Sequence, residues 1–278
     1  MLKIAEKWAI VGDTQCPFHD PRAVELATLV IEQYKPDHIV FNGDMWDFWS
    51  ISRHNPRRHE RLRARTLQEE IDIGIEVENK LARGLKYRGK LHHIDGNHED
   101  RLETFLGTGA QSVLGTLHGT SAETVFKLKE RGIASYHPYG EGIWITNNLF
   151  VYHGEYVGSL PGDSVKKELQ SIGASVIMNH VHRRADLRFR QGRSEHRGIE
   201  NGCLCQLQSG YKAMTNWSHC ITLVDVYDNE HWGAEVVDII HDDNEVYTVY
   251  KGDKISVPLN YTDGLAESWR PNEVKVWR

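Results

Sequence analysis

Strand-like and helix-like segments alternate along the first part of the chain, and strand-like segments alone follow. Apolar runs typical of buried strands cover residues 8–12, 38–41, 90–95 and 175–178, and helical spacing of apolar residues covers 21–34 and 60–88. The main apolar segments after residue 178 all have a strand pattern. Alternating strands and helices that give way to strands predict an α/β sandwich of two sheets.

The chain length and composition indicate one large globular domain. The sequence has 278 residues, of which 40% are hydrophobic and 26% are charged, and these values are ordinary for a folded protein. We expect the domain to span residues 1–250, with a basic helical insertion at about 48–88 and a C-terminal extension at 251–278.

Charge and cysteine usage restrict the partners and the compartment. The formal net charge of −6 argues against general electrostatic attachment to nucleic acid or anionic lipid, although a local basic patch is compatible with it. The four cysteines form no CxxC pair, which favours reduced thiols. The sequence has no signal-peptide pattern and no apolar segment of the ~20 residues that a membrane helix needs. These features predict a cytoplasmic protein without a membrane partner.

Six side chains with oxygen or imidazole donors each come just after a predicted strand. They are Asp13, Asp44, Asn97, His153, His180 and His182. Because ligands of open α/β sheets bind at the carboxyl ends of strands, we expect these groups to converge. Such donors suit divalent transition metals, and six are too many for one tetrahedral ion. They suit two ions that share a bridging carboxylate.

Five motifs occur in an order that resembles a known family. They are Asp13-Thr14-Gln15, Gly43-Asp44-Met45-Trp46-Asp47, Gly96-Asn97-His98-Glu99, His153-Gly154 and His180-Val181-His182. Together they resemble the calcineurin-like metallophosphoesterases, in particular the stand-alone phosphoesterases of bacteria and their viruses. The resemblance implies a four-layer α/β/β/α sandwich of two mixed sheets.

The same resemblance implies a role for each motif residue. Asp44 would bridge two metal ions, with Asp13 and His182 at the first and Asn97, His153 and His180 at the second. His98 would be the general acid that protonates the leaving oxygen, and Asp47 the carboxylate that orients it. The implied reaction is hydrolysis of a phosphoester by a hydroxide that bridges the ions, without a covalent enzyme intermediate.

Gln15 departs from the family pattern, which usually has His at this position. Its amide oxygen could ligate a metal as a harder, neutral donor, or Gln15 could point elsewhere while His19 or water fills the position. A harder donor set shifts the preference toward manganese or magnesium. We therefore expect two divalent ions, Mn²⁺ first, with Mg²⁺, Fe²⁺, Zn²⁺ and Ni²⁺ as alternatives.

Several arginines are candidates for binding the substrate. Arg101, two residues after Glu99, and Arg183, directly after His182, could hold phosphate oxygens, or could be surface ion-pair partners. A basic run from Arg53 to Arg65 follows the aromatic residues Trp46, Phe48 and Trp49. Arginines beside exposed aromatic rings are typical of single-stranded nucleic-acid binding. The alternative is a solvated helix start with Trp46 and Phe48 in the core.

These features favour a phosphodiesterase that acts on a nucleotide or on nucleic acid. A phosphomonoesterase is the first alternative, although Phe48 stands where the related protein phosphatases have Arg. A metal-binding scaffold without catalysis is the second. Gln15 supports the scaffold, whereas the presence of His98 and Asp47 argues against it. A homo-oligomer remains open, because the C-terminal Trp residues could pack in a dimer interface or in the core.

Overall fold

The structure, a computed structural model, describes residues 2–52, 66–108, 121–208 and 215–267. The predicted basic run, including Arg53, lies outside these ranges, as do Trp269 and Trp277. Within them, no helix has the length and apolar character needed to cross a membrane.

The larger sheet has eight strands and carries the first three motifs. Its strands are β1 (Ile4–Val11), β2 (His38–Asn42), β3 (Lys90–Ile94), β4 (Ile133–His137), β10 (His219–Tyr227), β11 (Trp232–His241), β12 (Glu245–Tyr250) and β13 (Asp253–Pro258). They lie in the order β13-β12-β11-β10-β1-β2-β3-β4. Strands β1 to β4 are parallel, and β10 joins them by antiparallel pairing with β1. The sheet is therefore mixed.

The smaller sheet has five strands and carries the last two motifs. Its strands are β5 (Gly142–Thr146), β6 (Leu149–Tyr152), β7 (Ser175–Met178), β8 (Arg184–Gln191) and β9 (Ser194–Asn201). Their order is β5-β6-β7-β9-β8, with β6, β7 and β9 parallel and the outer strands antiparallel to their neighbours.

Helices cover the outer face of each sheet. The helices are α1 (Pro21–Tyr34), α2 (Leu67–Leu81), α3 (Asp100–Gly107), α4 (Ala122–Val125) and α5 (Asp163–Ile172). Because successive strand residues point to opposite faces, Ala9 and Val11 of β1 pack with α1 and α2, whereas Trp8 and Ile10 pack against the smaller sheet. A third apolar cluster joins the smaller sheet to α5. These layers confirm the predicted α/β/β/α sandwich.

Local sequence signals account for the ends of the long helices. The Asp20 side chain accepts hydrogen bonds from the first turn of α1, and Lys35 ends this helix in a left-handed conformation before Pro36. Of the helix predicted at 60–88, residues 60–65 lie outside the described ranges, and the rest contains α2, which Thr66 and Glu69 start with a capping box. A short 3₁₀ turn, Ala82–Gly84, follows it.

Two strands of the larger sheet have no counterpart in the sequence prediction. Both β4 and β13 are edge strands, and most of their residues are partly or fully exposed. An edge strand buries little apolar surface and so lacks the alternation that identifies a strand. The predicted boundary at residue 250 falls in the turn between β12 and β13, and β13 continues the sheet.

Candidate metal centre

Polar side chains that follow five strands meet at the edge where the carboxyl ends of both sheets come together. The larger sheet supplies Asp13 after β1, Asp44 after β2 and Asn97 after β3. The smaller sheet supplies His153 after β6, and both His180 and His182 after β7. Parallel strands put their carboxyl ends at one edge, which explains why residues distant in sequence converge.

Asp44 belongs to two separate groups of side chains that could each hold an ion. One group is Asp44, His153 and His180, and the other is Asp13, Asp44 and His182. Within each group the potential ligand atoms all lie within 4.8 Å of one another. The Asp44 carboxylate lies 3.5 Å from His153 Nε2, and the Asp13 carboxylate lies 3.3 Å from His182 Nε2.

Four ligand-type atoms at this edge are buried without a hydrogen-bond partner among the described residues. They are Asp13 Oδ1, Asn97 Oδ1, His153 Nε2 and His180 Nδ1. Buried polar atoms in proteins nearly always have a partner, because leaving one unpaired is costly. Carboxylate, amide and imidazole donors that meet at one sheet edge without hydrogen-bond partners fit divalent metal ions.

Neighbouring groups fix the orientation of these side chains. His153 donates from Nδ1 to the Asn42 carbonyl at 2.9 Å, which leaves Nε2 facing the site. Asp13 Oδ2 accepts from the His180 backbone at 3.0 Å, and Asp44 Oδ1 accepts from the His98 backbone at 2.9 Å. Such contacts hold the rings and carboxylates in the orientation that metal binding requires.

The backbone at the site is strained. Asp13, Gln15, Asp44, His180 and His182 have φ values of 50, 52, 53, 70 and 58°. This left-handed region is uncommon for residues other than glycine and is concentrated at functional sites.

Two glycines make the close approach of the loops possible. A side chain at Gly43 would collide with the imidazole of His153, and one at Gly96 would collide with the carboxylate of Asp44. The glycines of the second and third motifs therefore let the loops after β2, β3 and β6 reach the same point.

Gln15 lies inside the site. Its Nε2 donates to Asp44 Oδ2 at 2.9 Å and lies 3.5 Å from His182 Nε2. A half-turn of the amide would present Oε1 at the same position, so the side chain can reach an ion held by Asp13 and His182. His19, the alternative donor, is held elsewhere, because its Nε2 lies 2.8 Å from Asp263 Oδ2.

The sequence matches one family over most of its length. A family model described as calcineurin-like phosphoesterase matches residues 7–249. The chain belongs to this family. As a member, it is a metal-dependent phosphoester hydrolase.

Two curated relatives and two solved structures are similar to this chain over most of its length. It is 24% identical over 251 residues to the Gene 54 protein of Mycobacterium phage D29 and 22% identical to that of phage L5, with 85% of this chain and 95% of each relative covered. Vacuolar Protein Sorting 29 from Cryptosporidium parvum is similar with a TM-score of 0.45 and 13% identity, covering 92% of this chain and 97% of that chain. Vps29 from Chaetomium thermophilum has a TM-score of 0.45 and 11% identity, covering 91% and 99%.

His98 and Asp47 of this phosphoesterase lie together beside the candidate metal ligands. His98 donates from Nδ1 to the Asp47 carbonyl at 3.0 Å, and the same nitrogen lies 3.5 Å from the Asp47 carboxylate. His98 also lines a pocket of ≈ 710 Å³ together with Asp44, Asn97, His180 and His182. Arg101 donates to the Asp47 carbonyl and, at 2.7 Å, to Nε2 of His98.

Arg183 lines the same pocket of the phosphoesterase, but its guanidinium donates to the Gly158 carbonyl at 2.9 Å. Trp46 and Phe48 are buried and stack with Phe126 in the core. This arrangement supports the alternative in which these two rings are core residues.

Electrostatics at the centre follow from buried carboxylates beside imidazoles. Burial opposes ionisation of Asp44, yet His98 and His153 hold its pKa well below the usual value. Burial also opposes charge on His153, but Asp44 outweighs it and raises the pKa of His153 to about 10. Burial lowers the pKa of His98 to about 3, and Arg101 contributes to this shift. The Asp44 carboxylate is therefore ionised, which is the form that binds metal ions.

Buried polar residues to which the sequence assigned no role support the phosphoesterase site. Glu99 accepts hydrogen bonds from the backbones of Asp44, Trp46 and Gly96 at 2.8 to 3.0 Å, and so ties the second motif to the third. Asn179 Oδ1 accepts from Asn42 at 2.8 Å and from Asn201 at 3.3 Å. These amides, each at or just after the end of a strand, join the two sheets beneath the site.

Proposed function

We propose that this phosphoesterase uses two divalent ions, with Asp44 shared between them, to hydrolyse a phosphodiester of a nucleotide or of nucleic acid. The observation that carries the two-ion proposal is the double membership of Asp44 in the two ligand groups. Asp13 and His182 would hold one ion, with Gln15 as a further donor. Asn97, His153 and His180 would hold the other.

When bound, two such ions supply the positive charge that activates water and polarises the phosphoryl oxygens. Mn²⁺ is the expected metal, because amide and carboxylate oxygens contribute to the donor set. The chain itself orients the ligands through the contacts of His153 with Asn42 and of Asp13 with the His180 backbone.

His98 would give a proton to the leaving oxygen. Its Nδ1–H is held by the Asp47 carbonyl, so that Nε2 is the nitrogen available to the substrate. An incoming phosphoryl anion would attract the Arg101 guanidinium away from Nε2 and stabilise a proton there. An anion beside an imidazole raises its pKa, and loss of the nearby cation does the same. Substrate binding would thus prepare His98 for its role.

The charge of the pocket favours a diester over a monoester. Two arginines among the described residues are near it: Arg101 contacts His98 of the pocket lining, and Arg183 lines the pocket but its guanidinium is engaged by Gly158. Arg101 therefore offers a single positive charge to the phosphoryl group. A phosphomonoester carries up to two negative charges, whereas a diester carries one. The buried Phe48 also stands where protein phosphatases of the family have Arg, which lowers the support for a phosphatase.

Hydrolysis of bis-nitrophenyl phosphate beside nitrophenyl phosphate tests this proposal. The assay contains Mn²⁺, and the His98→Ala variant is the blank. We expect faster cleavage of the diester, and loss of that cleavage in the variant. Faster cleavage of the monoester would identify a phosphatase. Cleavage of neither compound by a protein with two bound ions would contradict the catalytic proposal.

A further inference from the structure

The segment 155–162, which follows the metal-ligand candidate His153, exposes large apolar side chains. Tyr156, Val157 and Leu160 are 41%, 66% and 65% exposed. Val157, Gly158 and Ser159 line the pocket that also contains Asp44 and His98. An exposed apolar surface that borders a pocket is typical of a ligand-binding wall.

Buried polar side chains hold this exposed segment in place. The buried Glu168 carboxylate accepts hydrogen bonds from the backbones of Glu155 and Tyr156, each at 2.9 Å. Ser164 accepts from the Gly158 backbone at 2.8 Å, and Arg183 donates to the Gly158 carbonyl at 2.9 Å. Glu200, also buried, accepts from the Gly162 backbone at 2.9 Å. The apolar side chains are therefore presented on a preorganised backbone.

Trp217 lines the pocket together with this segment. Its ring and that of His182 lie in a T-shaped arrangement, with 4.4 Å between ring centroids. The next residue, Ser218, donates from its backbone to the His182 carbonyl at 2.9 Å, which fixes the Trp217 segment to the last motif. Polar side chains of Ser159 and Asn216 stand beside these apolar groups in the pocket lining.

The pocket is larger than a phosphoryl group needs. Its ≈ 710 Å³ lies in the range of sites that enclose a small organic ligand. The wall formed by Val157, Gly158, Ser159 and Trp217 carries no charged side chain. It therefore suits an uncharged part of the substrate.

We propose that Val157 and Trp217 form a subsite for the nucleobase of the phosphoester, with its flat face against the indole and Val157. An aromatic ring stacks on a base whatever its identity. Ser159 and Asn216 would meet hydrogen-bonding groups on the base edge. This inference rests on the proposed function, and it adds the part of the substrate that determines specificity.

Two diesters with the same leaving group test the subsite. Nitrophenyl thymidine phosphate and methyl nitrophenyl phosphate both release nitrophenolate, and only the first carries a base. The readout is the ratio of kcat/KM between them. We expect the ratio to fall about 10-fold in Trp217→Ala, the size of a lost base–aromatic stack. Trp217→Phe, which keeps a ring, should restore most of it.

A variant on the exposed segment excludes indirect effects of Trp217 on His182. Val157→Ser changes a side chain that is 66% exposed, so the fold does not depend on it. The ratio should fall in this variant as well. Val249→Ser, at a 54% exposed position on β12, is the matched control and should leave the ratio unchanged. Ratios within twofold of wild type in both Val157→Ser and Trp217→Ala would overturn the subsite.

Failure of the proposed function can be distinguished from failure of the subsite. If wild-type protein cleaves neither diester, calorimetric binding of thymidine 5′-phosphate in the presence of Mn²⁺ still decides the question. Binding that weakens about 10-fold in Trp217→Ala and Val157→Ser, but not in Val249→Ser, would support the subsite. Equal affinity in all four proteins, or no binding by wild type, would overturn it.

Discussion

Arg101 donates a 2.7 Å hydrogen bond from its guanidinium to Nε2 of His98, the nitrogen that a substrate would meet. The guanidinium and the imidazole nitrogen are therefore each other's hydrogen-bond partner in this structure. If a phosphate oxygen accepted the hydrogen bond of the guanidinium instead, Nε2 would be available to the leaving group. Substrate binding and proton donation would in this way depend on the same arginine.

Replacement of Arg101 should weaken substrate binding. We expect Arg101→Ala to raise KM by about 10-fold or more, because a hydrogen bond to a charged group contributes ~1.5–3 kcal/mol. Arg101→Lys should recover part of the loss, since it keeps the charge without the planar fork. Steady-state kinetics on a diester measure this. Arg188→Ala, at an exposed position in β8, is the control, and an equal effect there would contradict a role at the site.

Replacement of His98 should affect turnover but not metal content. We expect His98→Ala to lower kcat by ~10²-fold or more, the usual contribution of general acid catalysis. Elemental analysis should find the same number of ions as in wild type. His231→Ala, at an exposed position between β10 and β11, serves as the control. Unchanged turnover in His98→Ala would remove this residue from the proposed acid role.

Gln15 should affect the metal preference of one ion site and leave that of the other unchanged. It contacts Asp44 and lies beside His182, on the side of the site that also contains Asp13. We expect Gln15→His to increase affinity for Zn²⁺ relative to Mn²⁺ at one ion per chain, since imidazole is the softer donor. Calorimetric titration of metal-free protein measures both steps. A change in the relative affinity for Zn²⁺ and Mn²⁺ at both sites, or at neither, would contradict the placement of Gln15 at one site.

A buried charge network beneath the third motif should make stability depend on pH. His93 lies 3.2 Å from Glu78 and 3.1 Å from Asp95, and none of the three has appreciable exposure. Burial opposes a charge on His93, but Glu78 and Asp95 outweigh it and raise its pKa from 6.5 to about 10. The protonated imidazole thus stabilises the folded state fully below about pH 6.5, and this contribution is lost as pH rises through about 10.

Comparison of wild type with His93→Gln tests that network. Loss of one partner of a buried ion pair costs ~3–5 kcal/mol. We expect a difference of this order in the free energy of unfolding by urea at pH 6.5, and a much smaller difference at pH 10. Since the glutamine does not titrate, it isolates the contribution of the imidazole. A difference that is independent of pH across this range would show that His93 is not charged in the folded protein.

The sequence predicted the layers of the fold and the polar side chains that meet at the strand ends, because both depend on local patterns. The buried residues of the central strands β1 and β2 are mostly apolar, and a motif begins within two residues of the end of each strand. The edge strands β4 and β13 bury little and gave no such signal. Within the described residues, the helix predicted to reach residue 88 ends at Leu81, since apolar periodicity does not record where the 3₁₀ turn Ala82–Gly84 replaces the α-helix.

The supporting residues of the site could not be predicted, because their roles depend on distant partners. Glu99 bonds to backbone more than 50 residues away, at Asp44 and Trp46. Trp217 reaches the pocket only through the packing of its segment on His182. Arg183 was predicted to bind substrate, and its contact with Gly158 is visible only in three dimensions.

Metal content of the Asp44→Asn variant tests the central claim most directly. Wild-type and variant proteins are saturated with Mn²⁺, separated from free metal, and analysed for ions per chain. If Asp44 is shared between two ions, wild type should retain two, and the variant should lose both together. His231→Ala, treated in the same way, controls for losses on handling. A wild-type protein with one ion, or a variant that retains two, would contradict the shared site.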